Sequence, residues 1–161
     1  MNGIIEAANK QTTTRAPGHF AAVVNGRPWS LTQVTGIACK RAELEGMRTR
    51  NIWKIHAVGQ VRQRRTVIGF FIDQVLVPGT YDLVRNDRLT AVYHLTPRQV
   101  ATVYHSRDFQ EGSVTLHECD VETGRVRGTF EFAIPAMGFR VSQGEFDLVC
   151  LGGDSVARSA D

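Results

Sequence analysis

Cysteine is scarce in this chain. There are three, Cys39, Cys119 and Cys150, far apart and with no C-x-x-C pair. That excludes a disulfide framework or a zinc ribbon and fits reduced thiols, so a cytoplasmic location is expected. The first residues, MNGIIEAANKQTTTR, hold no apolar core of leader length, and Gly3 lies one place too late for myristoylation. No apolar run approaches bilayer length, so no membrane span is expected. Phosphate loops, dinucleotide fingerprints and G-x-S-x-G elbows are missing, and so are internal repeats. No cofactor and no catalytic set follow from such a sequence.

Lysine is also rare. Of 19 basic residues only Lys10, Lys40 and Lys54 are lysines. Arginine suits bidentate contacts to carboxylate or phosphate, although genomic base composition produces the same bias. The net charge of +3 hides an uneven distribution. Residues 1–65 carry 11 basic and 3 acidic residues, a surplus of eight. Residues 66–161 carry 8 basic and 13 acidic residues, a deficit of five. The basic half could mark an anionic partner, unless folding interleaves the two halves.

What the chain does contain is alternation. In Gly112–Ile134, Val114 and Leu116 alternate with Thr115 and His117, and the polar turn Asp120–Gly124 follows. Val126, Gly128, Phe130, Phe132 and Ile134 then alternate with Arg127, Thr129, Glu131 and Ala133. Period-two patterning on both sides of a glycine turn reads as an antiparallel hairpin with one buried face. His19–Val24 reads as a first strand, closed by Asn25-Gly26, the strongest short hairpin signal. Trp29 is expected to plug one end of the core with its indole N–H bonded. Val34–Cys39 reads as the returning strand, with a bulge at Gly36.

Further strands are expected at 52–59, 66–73, 81–84, 89–95, 100–105 and 139–151, the last broken at Ser142-Gln143-Gly144. A short helix is the alternative at 97–104, where Pro97 could open it. Nine or ten short strands at turn spacing point to an all-β antiparallel barrel or half-open barrel. Residues 1–18 would form a flexible arm, 19–151 the barrel-like domain and 152–161 a polar tail. A chain of 161 residues buries roughly 70% of its unfolded surface and needs no staple.

Several short motifs carry a resemblance: Asn25-Gly26 with Trp29, Gly79-Thr80-Tyr81, and Gly128-Thr129-Phe130-Glu131-Phe132. Over residues 19–150 the chain resembles an uncharacterised family of bacterial lipocalin-like β domains, often met as lipoproteins. The resemblance implies a calycin-like barrel and no activity. Unlike the lipoprotein members, this sequence shows no signal or lipobox.

The residues with ligand or catalytic chemistry give little. His117, Glu118 and Cys119 are adjacent, but in a strand only His117 and Cys119 share a face. A metal would need His56, His94 or His105 as well. A Cys–His nucleophile has no local support.

Two binding readings remain. Polar loops and the basic residues Arg48, Arg50, Arg62, Arg64 and Arg65 would dock a protein, making the chain a non-catalytic inhibitor such as an immunity protein that neutralises a toxin. In the alternative, a lumen lined by Phe70, Phe71, Tyr93, Phe130, Phe132 and Phe146 holds a small apolar ligand. A small enzyme or a nucleic-acid binder, the latter using the same arginines with Trp53 or Tyr104, is a weaker alternative.

Overall fold

The computed structural model describes residues 18–42, 49–96 and 102–152. The arm, the tail, Arg48 and Pro97 fall outside them, apart from Gly18 and Gly152. Among the described residues the chain is all-β. Ten strands have four residues or more: β1 (His19–Val24), β3 (Ser30–Ala42), β4 (Thr49–Val61), β5 (Arg64–Asp73), β6 (Gly79–Asp82), β7 (Leu89–Thr96), β8 (Thr102–His105), β9 (Glu111–Cys119), β10 (Arg125–Ile134) and β11 (Phe139–Val149). Two-residue strands β2 (Arg27–Pro28) and β12 (Leu151–Gly152) complete the set. The only helical turns described are two short 3-10 segments, Ser106–Asp108 and Pro135–Met137.

The strands form two sheets, in the orders β2-β1-β11-β10-β9-β6 and β12-β3-β4-β5-β7-β8. Every pairing is antiparallel except the short β12–β3 contact. Of the expected antiparallel barrel or half-open barrel, the all-β antiparallel class holds, but the chain is not closed into a barrel: the two sheets are hydrogen-bonded separately and face each other. The reason lies at the crossings. Asn25 and Gly26 take φ of 52° and 78°, the left-handed pair a tight hairpin needs, but β2 pairs with β1 over only two residues. Trp29 then turns inward and β3 continues in the other sheet. Residues 34–39 thus do not return along β1; they pair with β4, and β1 pairs along most of its length with β11. The irregularity in β3 falls between Leu31 and Gln33, not at Gly36. Gly36 instead gives room to the Cys150 sulfur where β11 leaves its sheet: a Cβ there would lie 2.8 Å from that sulfur.

Aromatic rings fill the space between the sheets. Phe70 of β5 lies 4.8 Å from Phe130 and 5.6 Å from Phe146, centroid to centroid. Tyr93 of β7 stacks on Phe139 at 4.4 Å and meets Phe132 edge-on at 6.1 Å. Glycines beneath the rings make this possible. A Cβ at Gly144 would sit 2.3 Å from the Phe130 ring, and one at Gly59 2.6 Å from Trp29. As expected from the sequence, the Trp29 indole N–H is bonded, here to the buried hydroxyl of Thr66.

The central hairpin forms as read, with β9 and β10 joined by Asp120–Gly124 and a register shift at His117. The expected break in β11 is a bulge at Ser142–Gln143, where Gln143 has φ of 50°.

Two stability measurements follow. Phe70→Ala should lower urea stability by about 3–5 kcal/mol, because a ring that touches both sheets is lost. Gly144→Ala should cost about 1–3 kcal/mol, since the Phe130 ring has to move. If Gly144→Ala left the midpoint unchanged, the packing described between β10 and β11 would be wrong. The β4–β5 turn gives a prediction of the opposite sign. Arg62 and Gln63 hold φ of 52° and 71° without glycine. Asn at 62 with Gly at 63 should raise stability by about 1 kcal/mol in the same assay.

Candidate functional site

Strand β5 is apolar from Val67 to Ile72 and then ends on Asp73, which is only 3% exposed. A carboxylate that deep needs partners. Its Oδ1 accepts the Val75 N–H at 3.0 Å. Its Oδ2 accepts Arg88 Nη1 at 3.0 Å and lies 3.6 Å from Arg50 Nη1. Around this group opens a cleft of about 730 Å³. It lies where the chain passes from β6, at the edge of one sheet, to β7 in the other.

Residues directly opposite across paired strands share a face. Phe71 is opposite both Lys54 and Thr90, while its neighbour Phe70 points into the core. Phe71, Thr90 and Val92 therefore form an outward floor, and Lys54 Nζ stands 6.0 Å from the Phe71 ring. Arg85, Asp87 and Arg88 make one wall, and His105 and Arg107 another.

Both walls are held firmly. The Asp82 side chain accepts the Val84 N–H at 3.1 Å, and the Asn86 side chain accepts the Arg88 N–H at 2.8 Å. Asp73 N–H donates to the Arg88 carbonyl at 2.8 Å. On the other side the buried Ser106 hydroxyl accepts the Ala91 N–H at 3.0 Å and fixes the 3-10 turn that carries Arg107. Arg85 and Arg107 form no ion pair with any described residue. Four arginines against Asp73 and Asp87 leave the cleft a surplus of two positive charges.

The uneven charge of the sequence survives folding. The strands of the β3-containing sheet carry six basic residues and one acidic, whereas those of the β1-containing sheet carry four basic and six acidic. Lys54 and the cleft thus lie on the basic side of the molecule.

The basic residues singled out by sequence do not form one patch. Arg50 reaches the cleft. Arg62, Arg64 and Arg65 are exposed at the far end of β4 and β5, twelve residues on, which is roughly 40 Å at about 3.3 Å per residue. Sequence reasoning missed Arg85, Arg88 and Arg107, which look like ordinary turn residues. The available signal was Asp73, an acid at the end of an apolar strand that had to find cations.

Of the six aromatics proposed to line a lumen, Phe70, Tyr93, Phe130, Phe132 and Phe146 are buried in mutual contact between the sheets. Phe71 is on the opposite face and lines the cleft.

The ligand-type residues of the central hairpin go to separate partners. His117 is exposed, Glu118 lies 3.6 Å from Arg127, and Cys119 Sγ donates to the Leu76 carbonyl at 3.2 Å. Among the described residues no three His, Cys, Asp or Glu side chains form a metal-holding group. Burial, reinforced by Glu118, pushes the Cys119 thiol up. Burial, with Cys39 nearby, pushes Cys150 up to about 12, so neither is an activated nucleophile. No helix among the described residues is long and apolar enough to cross a membrane.

Compared with protein-family models, curated proteins and solved structures, the chain matches none.

Asp73→Asn should lower stability by about 2–3 kcal/mol in chemical denaturation, because two guanidinium contacts lose their charged acceptor. His56, on the same outer face as Lys54, supplies a pH dependence. Burial and then the charges of Lys54, Arg65 and His94 hold its imidazole below the ordinary value of 6.5. The unfolded chain takes up the proton first, so stability present above pH 6.5 is lost as the pH falls below it. Thermal melts between pH 8 and 5 should show a shallower acid-side decline for His56→Gln than for the natural chain.

Proposed function

We propose that this protein is a non-catalytic binding module that docks an acidic surface of a protein partner on its basic sheet. The single observation that carries this reading is the cleft at Asp73, where arginines with surplus charge stand on pinned turns around an apolar floor. Charge surplus steers encounter, and desolvated arginines beside an aromatic ring are the usual anchors of an interface. An inhibitor of the immunity-protein kind, acting in the cytoplasm, would work in this way, by covering a cation-binding site whose acidic residues match the arginines. In the same proposal the chain is an unclosed relative of the calycin-like domains. The supporting feature is that their short motifs fall here at structural positions: a hairpin turn, the Trp29 crossing and the Phe130–Phe132 face.

A lumenal apolar ligand has less support, since the rings that would line it already touch one another across the sheets. The test is affinity capture with the full chain, comparing the natural protein with Arg85→Glu/Arg107→Glu. A stoichiometric partner should be retained at low salt, released by raised salt, and lost from the double variant. Equal recovery by both proteins would overturn the reading.

A further inference from the structure

We propose that the cleft beside Asp73 is a dianion site that takes a phosphate monoester, with the ester's apolar body resting on Phe71. The proposal rests on the reading of this cleft as the docking site and names the group that it receives.

Three features of the cleft converge on it. The first is charge. After Asp73 and Asp87 are counted, the arginines leave a surplus of two, and a phosphate monoester carries about −1.5 to −2 at neutral pH. A carboxylate would leave half of that surplus unmatched. The second is the kind of cation. Every basic residue with a permanent charge that lines the cleft is an arginine, whose planar fork binds phosphate oxygens in pairs. The third is preorganisation. Arg88 is held on a buried carboxylate, its loop is pinned by two side-chain-capped turns, and Arg107 rides on a turn anchored by Ser106. Arg85 and Arg107 face the cleft with no ion pair to another described residue. A cluster of four arginines, two of them uncompensated, is costly to hold together, and a dianion relieves the repulsion. Asp73 is a positioning residue here, since its oxygens are occupied by Arg88, Arg50 and the Val75 N–H.

The phosphate could belong to a free small ester or to a phosphorylated side chain of the partner. Calorimetry on the full chain separates them with phenyl phosphate, a five-residue phosphoserine peptide flanked by alanines, inorganic phosphate and benzoate. Phenyl phosphate or the peptide should bind at least about tenfold more tightly than benzoate. The tighter of the two identifies the source. Arg85→Gln and Arg107→Gln, both at exposed positions and checked for folding by circular dichroism, should each weaken phosphate binding severalfold, and together about tenfold or more. Phe71→Ala should weaken phenyl phosphate and leave inorganic phosphate unchanged. Benzoate binding as tightly as phenyl phosphate, or no phosphate binding altered by the arginine variants, would overturn the proposal. If that happened while the natural chain still captured a partner that Arg85→Glu/Arg107→Glu did not, the docking reading would stand without the phosphate.

Discussion

The contact between Phe70 and the pair Phe130 and Phe146 sets the shape of this molecule. Phe70 belongs to one sheet and the pair to the other, with centroids 4.8 and 5.6 Å away. Rings this close need backbone that lies flat beneath them. Gly144 under Phe130 and Gly128 against Phe146 supply it. The aromatic layer and the glycines are thus one device: Phe130 and Phe146 each gain depth because the paired strand of their own sheet gives up a side chain opposite them. Once the layer is full, the two sheets are clamped at a fixed separation, and the strand ends must pass from one sheet to the other along the sides.

Those side passages explain the rest of the fold. On one side Trp29 and Cys150 are single residues linking strands in different sheets, and Gly36 makes room for the second crossing. On the other side residues 83–88 and 106–110 cross in opposite directions. Short crossings can be tight and apolar, as at Trp29. The longer ones carry polar backbone that has to be satisfied locally, which is why Asp82, Asn86 and Ser106 all cap N–H groups there. The cleft is a consequence of this. Two capped crossings stand side by side over the end of β5, and the carboxylate at that end collects their arginines.

Local signals in the sequence were legible where the chain pairs with its neighbour. The limits of β1, the Asn25-Gly26 turn, the β9–β10 hairpin, the β11 break and the bonded indole of Trp29 were all readable from alternation and turn chemistry. What was not readable was non-local. β1 finds its main partner more than a hundred residues away in β11, and no periodicity encodes that choice. The switch of sheet at Trp29 looks, in one dimension, like a hairpin that simply continues. Phe70 and Phe71 are equivalent in an apolar run, and only the register with β4 and β7 puts one in the core and the other on the outer floor. Arg85, Arg88 and Arg107 lie in two polar turns some twenty residues apart. Nothing but the folded crossings brings them to Asp73.

A filled interior also directs where recognition can occur. The rings occupy the space that a lipocalin-like domain would offer a ligand, so under the proposed binding role the surface supplies specificity. On that surface the charges are sorted by sheet, with six basic residues to one acidic on one and four to six on the other. Sorting of this kind carries a repulsive cost, because like charges gather on one side with few intramolecular partners. The acidic sheet offsets part of that cost by pairing its charges across strands, as Arg125 does in a bidentate contact with Asp147 at 2.9 and 2.7 Å. The cleft does so only halfway: Asp73 holds Arg88 and Arg50, and the surplus remains. Uncompensated arginines on capped turns are better placed to bind an anion than to stabilise the fold, and that contrast between the two sheets is the physical argument for placing the proposed docking on the basic side.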